Sequence, residues 1–123
     1  MDNLINNLAK YSKYIFAVPF LIFGLFHFIA ADDMADMVPI PGGVIWVYIT
    51  GVALVLAAVS IFINKYARLA MFLLGILLLL FVVLVHLPNI SEEDPINLSM
   101  ALKDLALMAA AWMLAGNSED NKF

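Results

Sequence analysis

Ile96-Asn-Leu-Ser-Met-Ala-Leu-Lys103-Asp104-Leu-Ala-Leu-Met-Ala-Ala-Ala-Trp-Met-Leu-Ala-Gly116 is the stretch whose reading decides the fold. It has the length of a spanning helix, which needs about 20 mostly apolar residues. Yet Lys103 and Asp104 stand side by side within it. A charge at the bilayer centre costs from about 2.5 to more than 10 kcal/mol, so such residues face a bundle interior and serve a purpose. The stretch therefore predicts a membrane helix with a polar inner face, which in turn requires partner helices.

The rest of the chain supplies them. Of its 123 residues, 65% are hydrophobic and 13% charged. A solvated domain of this size needs more polar surface, so lipid must serve as solvent for much of the exterior. Apolar segments at about 14–31, 44–63, 69–87 and 96–116 predict four spans in one domain. Short connections make neighbouring helices antiparallel. The expected fold is an all-α, polytopic, up-and-down four-helix membrane bundle.

Basic residues set the expected orientation. Lys10, Lys13, Lys65, Arg68 and Lys122 all fall on one side of the alternating path, and Asp32, Asp33, Asp36, Glu92, Glu93 and Asp94 fall on the other. Both termini are thus expected to be cytoplasmic, and the expected location is a bacterial inner membrane. Tyr11, Tyr14 and Tyr66 mark the inner boundary, Trp46 and Tyr48 the outer one. The first span is too long for a signal-peptide core and contains Pro19 and His27, so it is expected to be retained.

Between the first two spans, Asp32 or Asp33 is expected to cap a short helix running through Met37, stopped by Pro39 and Pro41. Two readings of that segment stand side by side: an amphipathic helix on the bilayer surface, or a re-entrant lid over a cavity. Asp94 and Pro95 predict the cap and first residue of the fourth helix, and Gly116 its end.

Several function classes drop out. A net charge of −4 argues against nucleic acid as a partner. With no cysteine there is no disulfide, thiol catalysis or thiolate metal site. No phosphate loop, nucleophile–base pair or zinc motif is present, so no catalytic residue and no metal site is assigned.

Counting along the helices places the polar residues. Asp104 lies nine residues after Pro95, about 13 Å along its helix from the outer start. His27 is about one turn from the outer end of the first span, and His86 sits at the outer end of the third. On the fourth helix Asn97, Met100 or Ala101, Asp104, Met108 and Ala111 recur at helical spacing and form an inward stripe. Lys103 is rotated about 100° from Asp104 and can snorkel to an interface or bend to a carboxylate. On the first helix Phe20, Gly24 and His27 share a face.

The bland readings are a structural ion pair for Lys103 and Asp104, a packing role for His27 and an interfacial one for His86. The functional reading joins these groups in one site for a lipophilic molecule. Asp104, Lys103, His27, His86 and Asn97 are its polar anchors, and Phe20, Phe23, Met100 and Met108 its apolar wall. A quinone or a lipid fits that description. Two histidines on the first and third helices could in principle clamp a haem, or join Asp104 at a metal, but a lone histidine pair does not carry either reading.

Phe23-Gly-Leu-Phe-His-Phe28, the connector through Val38-Pro-Ile-Pro41, Thr50-Gly-Val-Ala53, Ala67-Arg-Leu-Ala70 and Leu102-Lys-Asp-Leu-Ala-Leu107 together resemble the DoxX and DoxX-like family of small four-helix membrane proteins. The likeness covers nearly the whole chain. Many relatives carry an acidic residue shortly after the second-helix glycine, whereas Val52 to Leu56 is wholly apolar here. The resemblance implies a place beside membrane redox systems, as in the quinone-linked sulfur-oxidation subunits of the family. More distant relatives resemble cargo receptors and assembly chaperones. The expected function is a non-catalytic binder of a quinone or lipid supporting a redox or envelope system, with a redox partner or a homodimer as possible company. An assembly factor for other membrane proteins and a cofactor-carrying oxidoreductase subunit are the alternatives.

Overall fold

A computed structural model describes residues 1–36, 41–92 and 95–117. The chain forms four long helices. The first, α1, runs Asp2–Ile29, and a short helix α2 follows at Ala31–Ala35. Next come α3, Gly43–Ile63, and α4, Ala67–Leu80, which continues through a π-helical turn at Phe81–His86 and a 3-10 turn at Leu87–Asn89. The last helix, α5, is Ile96–Gly116. The α1, α3 and α5 helices, and the continuous run Ala67–Asn89, are each long and apolar enough to cross a membrane. This is the all-α four-helix membrane bundle that hydropathy predicts, and the chain is read as a multi-pass membrane protein.

The helices pair unevenly. α1 lies along α3 and α5 along α4, while the α3–α4 seam is looser. Small residues explain the tight pairs. A Cβ on Gly24 of α1 would stand 2.7 Å from Val55 Cγ2, and one on Gly51 of α3 would stand 2.9 Å from His27 Cβ. Glycine at both positions lets the two backbones approach, the usual route to close helix contact where lipid supplies no hydrophobic drive between helices. On the other pair, a Cβ on Gly75 of α4 would run into the indole of Trp112 on α5. That indole N–H donates to the Phe72 carbonyl at 3.1 Å.

Two layers fill the interior. Toward the end that carries Lys65 and Arg68 (the basic end), Ala17, Ala58, Ile61, Ala67, Ala70, Met71 and Ala115 pack together. Alanines from all four helices close this end. In the middle Phe20, Leu54, Leu74 and Leu78 form the core, with Phe81, Leu107 and Met108 against them. The ionisable groups lie beyond this layer, toward the acidic end.

Three details differ from expectation. α1 begins at Asp2, well before the expected membrane entry near Tyr14. Its first ten residues, 2–11, are exposed, Leu4, Ile5 and Leu8 among them. Pro19 sits inside this helix. Second, α2 starts one residue before Asp32, with Ala30 as its N-cap and no side-chain cap. Asp32 and Asp33 therefore stand in its first turn, where their charge still suits the positive end of the helix. α2 packs against α1 and α3, with Ala31 buried. Third, α5 has Pro95 as N-cap rather than as first helical residue. Met37, Pro39 and Asp94, expected to act at these helix ends, lie outside the described residues, as does the tail from residue 118.

The α3–α4 turn is tight. Asn64 and Tyr66 both take left-handed backbone conformations, at φ of 56° and 55°. Asn64 caps α3, a role it fills with little strain, and its Nδ2–H donates to the Tyr14 hydroxyl at 2.7 Å. This ties the end of α3 to α1. Tyr66 is a bulky residue in a region that costs roughly 1–2 kcal/mol for a side chain of its kind.

Candidate functional site

The site begins with a change of helical pitch. Leu74, Leu78 and Val82 are buried at intervals of four. In an α-helix four residues overshoot a full turn by about 40°, so such a row drifts by about 80° over two steps. A third α-helical step would leave residue 86 about 120° from the starting face. The π turn at Phe81–His86 is wider, absorbs the drift, and returns His86 to the interior. There His86 is 8% exposed.

Opposite it, α5 buries Ala101, Asp104 and Ala111 along one stripe. Asp104 is 6% exposed. The His86 Nε2–H donates to Asp104 Oδ2 at 2.8 Å. This is a buried imidazole–carboxylate pair joining α4 to α5 within the membrane-spanning segments. His86 is thus not the interfacial residue that its place at the end of the span suggested, because the π turn aims it inward.

Lys103 does not complete that pair. Its Nζ lies 5.6 Å from the centroid of the Phe23 ring on α1, while the Asp104 carboxylate accepts the hydrogen bond from His86 Nε2–H. A cation over an aromatic face gains about 0.5–1 kcal/mol when exposed and more when desolvated. The contact bridges α1 and α5, which are not among the closely packed helix pairs of the described residues. Both Lys103 and Phe23 are exposed, so they form the outer rim of this seam.

His27, half-buried, lies one turn nearer the acidic end of α1 than Phe23. Its Nδ1–H donates to the Phe23 carbonyl at 2.6 Å, which leaves Nε2 as the bare ring nitrogen of the neutral imidazole. The ring stacks on Phe81 at 6.4 Å and 16°. Phe81 opens the π turn that His86 closes, so the two histidines share a wall but are engaged separately. His27 meets Phe23 and Phe81, and His86 meets Asp104. No three metal-ligating side chains cluster among the described residues.

The remaining expected site residues divide by layer. Phe20, 2% exposed, is core, and Met108 packs against it. They form the floor beneath the polar groups. Asn97 and Met100 are half-buried on α5, two turns and one turn, respectively, nearer the acidic end than Asp104. Asn97 donates Nδ2–H to the Asn89 carbonyl at 3.1 Å, joining the start of α5 to the end of α4. At this site two buried polar atoms, His86 Nδ1 and Asn97 Oδ1, have no hydrogen-bond partner among the described residues. Buried polar atoms without partners are rare and call for a water, an ion or a ligand. Phe81 is the residue that sequence reading missed. Nothing in a run of apolar residues marks which one will stack on a histidine.

Fold and site together define the class: a four-helix membrane bundle with a buried histidine–aspartate pair in the acidic half and a lysine at the rim. No protein-family model, curated protein or solved structure matches the chain.

Proposed function

We propose that this chain is a DoxX-like membrane protein that binds the polar head of a lipophilic small molecule, a quinone or a lipid, without catalysing a reaction itself. The head sits between α1 and α5 in the acidic half, and the apolar remainder extends into the surrounding lipid. The observation that carries this reading is the buried His86–Asp104 pair with His86 Nδ1 left unpartnered beside it.

A buried ion-pair-like contact is weak evidence for stability alone, since an apolar pair of similar volume does as well. Three features favour a binding role. The pair carries unused hydrogen-bonding capacity on His86 Nδ1 and, closer to the surface, on Asn97 Oδ1. The α1–α5 seam is spanned by side chains, so a flat ring or headgroup can enter by displacing Lys103 from Phe23. Lys103 then supplies donors for a carbonyl or phosphate oxygen, and His27 Nε2 accepts from a hydroxyl. The middle layer around Phe20 blocks passage further inward. The basic and acidic ends suggest a cytoplasmic membrane with both termini inside, so the site opens toward the outer leaflet.

The test is the small-molecule content of the purified protein. Mass spectrometry of gently solubilised protein is expected to show a quinone or a specific lipid in stoichiometric amount. Asp104→Asn keeps the size of the side chain, and it is expected to lower that content several-fold while the protein remains folded. Equal content in the wild type and Asp104→Asn would end the proposal.

A further inference from the structure

A second feature lies on the opposite side of the bundle. The looser α3–α4 seam opens a groove of about 450 Å³ on the lipid-facing surface. Ala53, Ala57 and Ala70 give it a shallow floor, and Leu56, Leu73 and Leu80 raise its walls. From Tyr66 to Leu80 it follows α4 for about 21 Å. That is on the order of the half-thickness of the hydrocarbon core plus the headgroup boundary.

The groove is polar at one end only. Ser60 and Tyr66 line it where it reaches the basic end. Lys65 is exposed between them in the turn, and Arg68 adds a second positive charge in the first turn of α4. The first turn of α4 has no side-chain cap, so its amide dipoles add to the positive field there. An apolar trough ending in cations and hydroxyls matches one kind of molecule. A partner helix or a second copy of this chain would instead need an apolar or small-residue contact along its whole length.

We propose that this groove holds an anionic phospholipid of the leaflet at the basic end. One acyl chain lies over Ala53, Ala57 and Ala70, and the phosphate sits between Lys65 and the Tyr66 hydroxyl. The site is independent of the His86–Asp104 pair, which belongs to the opposite leaflet and joins α4 to α5 rather than α3 to α4. A bound chain fills the gap that α3 and α4 leave, so the lipid acts as a structural wedge between the two tight helix pairs.

Native mass spectrometry with added phosphatidylglycerol or phosphatidylcholine tests this. One phosphatidylglycerol per chain is expected to survive release from detergent, with phosphatidylcholine retained several-fold less. Lys65→Gln is expected to weaken that retention about fivefold, the worth of one basic residue at an anionic surface. Lys10→Gln, at the same end but on α1, is the control and is expected to change nothing. Ala57→Phe fills the floor and is expected to abolish retention. Should that variant fail to fold, Leu73→Trp narrows the groove from its exposed wall and serves in its place. Equal retention of the two lipids, or equal loss in Lys65→Gln and Lys10→Gln, would overturn the proposal. A dimer that disappears when the groove is filled would overturn it as well, in favour of a second copy as occupant.

Discussion

Gly24 and Gly51 face each other across the α1–α3 seam, and each carbonyl oxygen lies 3.1 Å from where the other's Cβ would stand. Neither position has room for a methyl group without backbone movement. Gly51→Ala is expected to lower stability by about 1–3 kcal/mol, the usual cost of overpacking. Gly24→Ala is expected to cost a similar amount through Val55 and the Gly51 carbonyl. Unfolding in mixed detergent and SDS measures both, and a neutral result at either position would mean that the helices are further apart.

The His86–Asp104 pair predicts coupling rather than additive loss. His86→Leu or Asp104→Leu alone strands a buried polar partner and is expected to cost about 1–3 kcal/mol. The double variant removes both groups and is expected to fall short of the summed cost by on the order of 1 kcal/mol, within the range found for polar contacts between membrane helices. Purely additive losses would show that the hydrogen bond contributes nothing.

The Trp112 indole reports on the α4–α5 pair. Gly75→Ala places a methyl group within the space of that ring and is expected to break the bond to the Phe72 carbonyl. In a Trp46→Phe background Trp112 is the sole tryptophan, so the break is read as a shift of its emission and easier quenching. Unchanged emission would place the indole elsewhere.

The α3–α4 turn holds strain at one residue and relieves it at another. Tyr66→Gly is expected to raise stability by about 0.5–1 kcal/mol, because glycine adopts the left-handed conformation without penalty. Asn64→Ala is expected to lower it by about 1–2 kcal/mol, losing both the left-handed cap and the bond to Tyr14. Thermal denaturation of the two variants in one detergent gives the sign of each.

The four spans were legible because hydropathy is a sum over about 20 residues and tolerates local detail. The inward stripe of α5 through Ala101, Asp104 and Ala111 was legible too, since that helix keeps its α-helical phase throughout. Counting placed His86 at the end of its span but could not show which way it faces. The π turn changes the phase within six residues, and Phe81–His86 reads as an ordinary apolar run ending at a boundary. The partner of Lys103 was equally hidden. Its neighbour in sequence is a carboxylate, but its neighbour in space is the ring of Phe23 on another helix. Contacts between helices depend on the rotation of each about its axis, which composition does not encode.

The length of α1 has a practical consequence. Its 28 residues reach about 42 Å, whereas the hydrocarbon core is about 30 Å thick. The surplus stands at the basic end as an unbroken rod that shares its axis with a packed membrane helix. A soluble domain spliced onto that rod in helical register would turn as one body with the bundle. Such a fusion gives a protein of 13.6 kDa a rigid fiducial large enough for single-particle imaging.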